Sequence, residues 1–169
     1  MTEAQIKDRV ANVQIRWMIR RDMPEVMAIE HLAFEFPWTE EDVHNCLRHR
    51  ECIGMVAERD DTIVGYMFYE LNLKKRSLHV LNFAVMPSMQ RRGIGSQMVR
   101  KLVSKLSPYR RKSIVLEVRE SNLDAQLFFA ASGFVASKIL KGHYEDSEED
   151  AYVFKFEVEA ASIRGDAST

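Results

Sequence analysis

A glycine-rich turn between a strand pattern and a helix pattern constrains this chain most strongly. The segment AVMPSMQRRGIGSQMVRKLV (residues 84–103) passes from apolar residues into Gln-Arg-Arg-Gly-Ile-Gly and then into a helical repeat. Gly93 and Gly95 leave the backbone free of side chains, so that a ligand can approach it closely. Amide N–H groups at a helix start, together with the positive end of the helix dipole, attract an anion such as a diphosphate. The turn therefore predicts either an anion site or, without a ligand, a tight β-to-α connection.

Two common phosphate-binding loops do not fit this spacing. A P-loop needs a lysine followed by serine or threonine directly after its second glycine, and QRRGIGSQ has none there. A dinucleotide-binding fingerprint needs a third glycine at the position of Met98. The anion site, if present, belongs to another class of loop.

Length and composition predict one cytoplasmic domain. The chain has 169 residues, a net charge of −1 at pH 7 and two cysteines, so neither nucleic acid nor a membrane surface is an expected partner. The polar N-terminus does not resemble a signal peptide. Cys46 and Cys52 are expected to be reduced thiols rather than a disulfide, with no metal site around them. We expect a flexible N-terminus over residues 1–12, one domain over 13–158, and a flexible tail over 159–169.

The apolar pattern predicts an α/β fold. Strand and helix patterns alternate in the order β α α β β β α β α β β. The helix after the glycine turn carries its apolar residues at helical spacing, from Ile94 to Leu106. We predict a mixed, mostly antiparallel sheet of about seven strands flanked by helices.

Three further segments, together with the turn, resemble the GNAT family of N-acetyltransferases. Gln90 to Gly95 matches the family's acetyl-CoA signature, Gln/Arg-x-x-Gly-x-Gly/Ala. The segments FEFPWTEED, NFAVMPSMQRRGIGSQM and LEVRESNLDAQLFFAASGF are similar to the RimI type, which acetylates the N-terminal alanine of ribosomal protein S18. The resemblance implies a single-domain GNAT fold and acetyl-CoA as cosubstrate, with no metal. The residues that it assigns to acetyl-CoA are Phe83, Ala84, Val85, Arg91, Arg92, Gly93, Ile94, Gly95, Ser96 and Asn122.

Glu117 is the candidate general base. It stands among apolar residues in the strand pattern SIVLEV, and a carboxylate in apolar surroundings is expected to have a raised pKa, which suits a base. An edge glutamate that faces solvent is the alternative interpretation. The resemblance matches Glu117 to the RimI-type base.

The general acid departs from the family pattern. RimI-type enzymes carry a tyrosine at the position of Phe129, which cannot donate a proton; we expect this ring to be packed in the core, with Phe128 pointing elsewhere. A thiol near pKa 8.5 leaves without much help at neutral pH, so the reaction can survive the change. Candidate replacement acids are Tyr144, which we assign, and otherwise His143, Tyr152 or a water. His79 could relay a proton through water but is more simply explained as a core or surface histidine.

The predicted acceptor is a protein N-terminal α-amine. With a pKa near 7.7–8.0, an α-amine loses its proton far more readily than a lysine near 10.4. Candidate substrate-binding residues are Phe36, Pro37, Trp38, His143 and Tyr144. Phe36 to Trp38 is equally well interpreted as a hydrophobic plug. The resemblance implies a small first residue such as alanine, and a ribosomal protein as the partner. Alternatives are a lysine or small-molecule amine as the acceptor, or a non-catalytic acetyl-CoA-binding module.

Overall fold

A computed structural model describes residues 10–159. Most of the N-terminus and of the tail that the sequence predicts to be flexible lies outside the described residues. Seven strands form one sheet in the order β1-β2-β3-β4-β5-β7-β6. The strands are β1 (Gln14–Trp17), β2 (Cys52–Arg59), β3 (Thr62–Asn72), β4 (Ser77–Val85), β5 (Ser113–Arg119), β6 (Val135–Leu140) and β7 (Ala151–Glu157). The helices are α1 (Met23–Ala33), α2 (Glu40–Arg48), α3 (Ile94–Val103) and α4 (Leu123–Ala131), with short 3-10 turns at Arg20–Asp22 and Pro87–Met89. The predicted order of elements and the mixed sheet are confirmed.

The helices cover the sheet with two separate apolar clusters. α1 and α2 pack with Ile29 and Val43 in one cluster. α3 and α4 contribute Met98, Leu102 and Phe129 to the other. Since apolar positions at helical spacing face the sheet, the patterns visible in the sequence account for both layers. Within residues 10–159, no helix is long and apolar enough to cross a bilayer.

β4 and β5 are paired over only a short length. They run parallel, and their register extends from Ser77 opposite Ser113 to His79 opposite Val115. Among the described residues, no pairing between them continues beyond His79, although β4 runs on to Val85 and β5 to Arg119. Backbone groups and side chains beyond this point are therefore available to line a cavity.

The two cysteines differ from the sequence expectation. Cys46 in α2 and Cys52 at the start of β2 form a disulfide, with their Cα atoms 6.0 Å apart. The expectation of reduced thiols was wrong for this structure. The short connection between α2 and β2 folds back on itself, because the amide of Cys52 donates to the carbonyl of His49. This reversal, which the cysteine spacing does not reveal, brings the two side chains together.

Candidate active site

The glycine turn forms one wall of a cleft of about 680 Å³, which we call the loop cleft. Its other walls are the end of β4 and one face of α4. Residues predicted for acetyl-CoA that line it are Phe83, Ala84, Val85, Arg91, Gly93, Ile94, Gly95, Ser96 and Asn122. Nine of the ten residues that the sequence predicts for acetyl-CoA thus lie around one cleft.

The backbone of the turn requires its two glycines for different reasons. Gly93 precedes α3 in the left-handed region, at φ +77°, where a side chain would be strained. Gly95 needs space instead: a Cβ atom there would lie 3.2 Å from Cζ of Phe128 and 3.6 Å from Cζ of Phe83. These rings thus pack against bare backbone, and residues 93–96 at the start of α3 line the cleft. A helix N-terminus favours an anion such as the diphosphate of a coenzyme A thioester.

Arg92 lies elsewhere than the prediction implies. It lines a separate groove beside Asn12 and Asp60, and its carbonyl accepts a hydrogen bond of 3.0 Å from the amide of Ala11. The physical reason is the reversal of the chain at Arg91, whose φ is +62°. The two neighbouring arginines consequently face different cavities.

A second cavity, of about 190 Å³, lies between β4 and β5, and we call it the Glu117 cavity. Its walls come from the unpaired parts of the two strands, the segment after α1 and Tyr144. It shares five lining residues with the loop cleft: Phe34, Phe83, Asn122, Ala125 and Phe129. The two cavities therefore adjoin, so that groups bound in each can meet.

Glu117 is held in this wall by a histidine. Its Oε2 atom lies 2.6 Å from Nε2 of His79, while Nδ1 of His79 lies 3.5 Å from Oε1 of Glu70. Burial raises the pKa of the Glu117 carboxyl, but the hydrogen bond and positive charge of His79 outweigh it, and the pKa is lowered overall. The expectation of a raised pKa was wrong, because it considered the apolar strand alone and not the imidazole from β4.

Glu30 forms a buried polar cluster at the back of the Glu117 cavity. The residue is 2% exposed. Its carboxylate accepts hydrogen bonds of 2.8 Å from the amide of Trp38 and from Nδ2 of Asn82, and a third from the hydroxyl of Tyr66. Burial raises the pKa of Glu30. The cluster fixes the segment after α1 against β4, and with it one wall of the cavity.

Arg119 joins the cavity to the acidic segment at its mouth. Its guanidinium carbon lies 3.9 Å from the ring centroid of Tyr144 and 5.0 Å from that of Phe36. The same group donates hydrogen bonds to Asp146 and Glu149. Residues 145–150 are therefore a turn tied to β5. The half-buried Tyr144 has a raised pKa because burial disfavours its ionised form.

The predicted substrate-binding residues divide into two groups. Phe36, Trp38 and Tyr144 line the Glu117 cavity. Pro37 and His143 are described by the structure but are absent from that lining; His143 is exposed and stacks edge-on against Tyr144, with the ring centroids 4.9 Å apart.

Phe129 is a packed core residue, as predicted, and is 6% exposed. Phe128 does not point elsewhere, however: both rings contact Phe83, at centroid distances of 6.0 Å and 6.1 Å. Phe83 is large enough to touch both faces of the helix turn. Asn122 begins α4 by accepting a hydrogen bond of 3.1 Å from the amide of Ala125, while also lining both cavities.

Several residues of the site were not predicted. These are Glu30, Asn82 and Arg119, and the only local sign of their role is a polar side chain within an apolar pattern. This sign is clearest for Glu30, which falls on the apolar face of α1. A polar residue at a core position is most often hydrogen-bonded to a partner distant in sequence, and this expectation would have marked it.

Residues 21–134 match the model of the acetyltransferase (GNAT) family. The chain belongs to the GNAT acetyltransferase family. The match covers the loop cleft and the Glu117 cavity up to α4. The chain is an acetyl-CoA-dependent N-acetyltransferase, and one solved structure with this fold is a complex with acetyl-CoA. Within residues 10–159 no cluster of three metal-ligating side chains occurs.

Individual relatives agree with this membership. The chain is 29% identical to a ribosomal protein bS18-alanine N-acetyltransferase of Salmonella typhimurium, over 78% of this chain and 88% of that protein. It is 30% identical to an N-alpha-acetyltransferase of Sulfurisphaera tokodaii, over 78% and 85%. The crystal structure of the ribosomal-protein-S18-alanine N-acetyltransferase from Escherichia coli superposes with a TM-score of 0.78, at 24% identity, over 90% of this chain and 98% of that one. This last likeness supports the GNAT fold.

Proposed function

We propose that this GNAT acetyltransferase acetylates the α-amine of a protein N-terminus and that Glu117 accepts the proton of that amine. One observation carries the proposal: the Glu117 carboxylate lies in the wall of a small cavity that adjoins the loop cleft. The loop cleft would hold acetyl-CoA, with its diphosphate on the amides of residues 91–96. The Glu117 cavity would hold the acceptor.

The residues fit the chemistry of acyl transfer. Acetyl-CoA supplies an acetyl thioester; the amine nitrogen forms the new C–N bond, and the C–S bond breaks. The proton of the amine passes to Glu117, directly or through one water, and the thiolate takes a proton from solvent or from Tyr144. Because its pKa is lowered, Glu117 is ionised at neutral pH and can accept that proton. The hydroxyl of Tyr144 keeps its proton since its pKa is raised.

An α-amine suits this base better than a lysine. An α-amine has a pKa near 7.7–8.0, against about 10.4 for lysine, so a much larger fraction is neutral and nucleophilic at pH 7. A carboxylate with a lowered pKa is a weak base and serves a weakly basic amine best. An α-amine acceptor therefore needs only a weak base, and Glu117 is such a base.

The walls of the cavity favour a small first residue, and we propose alanine. A volume of about 190 Å³, bordered by the rings of Phe36, Trp38 and Tyr144, leaves little room beyond the reacting groups. Relatives named for alanine of ribosomal protein bS18 and for N-alpha-acetylation support a protein acceptor such as a ribosomal protein.

Coenzyme A thiol release tests the proposed acceptor. Acetyl-CoA is offered with a peptide that begins with alanine, and with a matched peptide whose N-terminus is blocked and which carries an internal lysine. We expect thiol release with the free N-terminus alone, and a single acetyl group on the α-nitrogen by mass spectrometry. Thiol release with the blocked peptide would show that the acceptor is a lysine side chain and not an α-amine. Binding of acetyl-CoA with release from neither peptide would overturn the proposal.

A further inference from the structure

The pair formed by His79 and Glu117 is not needed to hold the two strands together. Their register is already fixed by hydrogen-bonded pairs from Ser77 to His79 on β4. The side chains nevertheless meet at 2.6 Å, where the strands cease to be paired. His79 is also backed by a second carboxylate, Glu70, at 3.5 Å on its other ring nitrogen. The arrangement is a carboxylate–imidazole–carboxylate row that ends at the Glu117 cavity.

We propose that His79 is a positioning residue for Glu117: it keeps the carboxylate ionised and aimed into the cavity, and Glu70 keeps the imidazole protonated. This inference rests on the proposed role of Glu117 as proton acceptor. It assigns to His79 and Glu70 a part in the reaction through Glu117, without contact with the reacting atoms.

The geometry supports each link of the row. Since both ring nitrogens of His79 face carboxylates, the doubly protonated imidazolium can donate on both sides, which a neutral ring cannot. His79 lies directly opposite Glu70 in the β3–β4 register, so this contact is set by the backbone. The side chain of Glu117 is 22% exposed and that of His79 31%, so the pair is screened less than a surface pair.

Charge in the surroundings agrees with an ionised Glu117. Besides His79 and Glu70, the segment before β7 brings two titratable groups to the pair: His143, whose charge lowers the pKa of Glu117, and Tyr144. Glu30 of α1 and Arg119 of β5 line the same cavity. The hydrogen bond to Glu117 is the main cause of the raised pKa of His79, and Glu70 adds to it. Without His79, burial is the largest remaining influence on Glu117 and favours its protonated form.

The sign of the expected effect follows from these directions. In the wild-type protein Glu117 stays ionised to a lower pH than an ordinary glutamate, because its pKa is lowered. In His79→Gln, an amide can still donate a hydrogen bond to Glu117 but carries no charge, so the protonation midpoint of Glu117 rises. In Glu70→Gln, the midpoint of His79 falls, because one of the two carboxylates that favour the imidazolium is gone.

The test is an NMR titration of the Glu117 side-chain carboxyl carbon in the full chain without any acceptor. We expect the midpoint in His79→Gln to lie about one pH unit or more above that of the wild type. His79→Lys restores a positive charge, so its Glu117 midpoint should lie between those of the wild type and His79→Gln. The matched control is His44→Gln, which removes another histidine that faces a glutamate, at 3.5 Å from Glu40 on α2, and should leave Glu117 unchanged. An unchanged Glu117 midpoint in His79→Gln overturns the proposal.

Two further readouts separate this role from a structural one. The first is the pH profile of kcat/KM, corrected for the neutral fraction of the acceptor amine. In His79→Gln its acidic limb should move to higher pH, while the rate above that limb changes little. Should His79→Gln not fold, the imidazole titration of Glu70→Gln decides: a lower His79 midpoint supports the row, and an unchanged one contradicts it. Because the titrations need no acceptor, they remain informative even if the acceptor is not an α-amine.

Discussion

The guanidinium carbon of Arg119 lies 3.9 Å from the ring centroid of Tyr144, and the same guanidinium donates two hydrogen bonds to Asp146, at 2.6 Å and 2.9 Å. One side chain thus fixes a wall of the Glu117 cavity and the acidic turn outside it. A planar guanidinium can stack on a ring and bind a carboxylate with two donors at once, whereas an ammonium cannot.

Arg119→Lys should loosen this mouth of the cavity while keeping the charge. We expect the KM for an alanine-initiated peptide to rise about three- to tenfold, with kcat changed less, since the lysine loses the bidentate and stacked geometry. Amide hydrogen exchange over residues 144–150 should become faster. Arg100→Lys, on the exposed face of α3, is the control. An unchanged KM would show that the turn does not contribute to acceptor binding.

Glu30→Gln should destabilise the fold more than it affects chemistry. Glu30 accepts hydrogen bonds from three donors. In the variant, the NH₂ group of glutamine would face at least one of these donors, which then loses its acceptor. An unsatisfied buried polar group costs about 1–3 kcal/mol. Urea unfolding measures the loss. The pKa of Glu30 is higher in the folded than in the unfolded protein. The stability that Glu30 contributes is therefore greatest below the ordinary pKa of a glutamate, and it is lost as the pH rises through the pKa of the folded protein.

Glu41→Gln, at an exposed position in the first turn of α2, is the matched control for Glu30. Its unfolding free energy should stay within experimental error of the wild type. Equal losses in the two variants would mean that the Glu30 cluster does not hold the segment after α1 in place.

Gly95→Ala should weaken acetyl-CoA binding. The new Cβ atom would lie 3.2 Å from Phe128, so the ring must shift, and this ring lines the loop cleft. We expect the Kd for acetyl-CoA to rise about tenfold, equivalent to about 1.4 kcal/mol, measured by calorimetry. Ser88→Ala, on the exposed turn before the loop, should bind normally. Normal binding by Gly95→Ala would contradict the placement of acetyl-CoA in the loop cleft.

Phe129→Tyr tests whether the missing family tyrosine matters. Phe129 lines both cavities, so a hydroxyl there can face either. Since a thiolate is a good leaving group at neutral pH, general acid assistance should contribute less than its usual ~10²–10⁴-fold, and we expect kcat to rise by less than about tenfold. A rise of a hundredfold or more in single-turnover experiments would show that proton donation limits the natural enzyme.

The fold could be predicted almost entirely from the sequence, because apolar periodicity and turn residues are local. The loop cleft could also be predicted, since its glycines and its arginine lie within one continuous segment. The environment of Glu117 could not. Its partner His79 lies 38 residues away, and their contact depends on the parallel register of β4 and β5. Likewise Glu30 reaches Asn82 across 52 residues, and only the packing of α1 on the sheet makes that pair.

The single-turnover rate of Glu117→Gln with acetyl-CoA and an alanine-initiated peptide tests the central claim most directly. Glutamine keeps the shape of the side chain and can still face His79, but it cannot accept a proton from the amine. We predict a loss of about 10²–10⁴-fold in rate, with an unchanged Kd for acetyl-CoA and normal folding. A rate within about fivefold of the wild type would contradict the assignment of Glu117 as the proton acceptor.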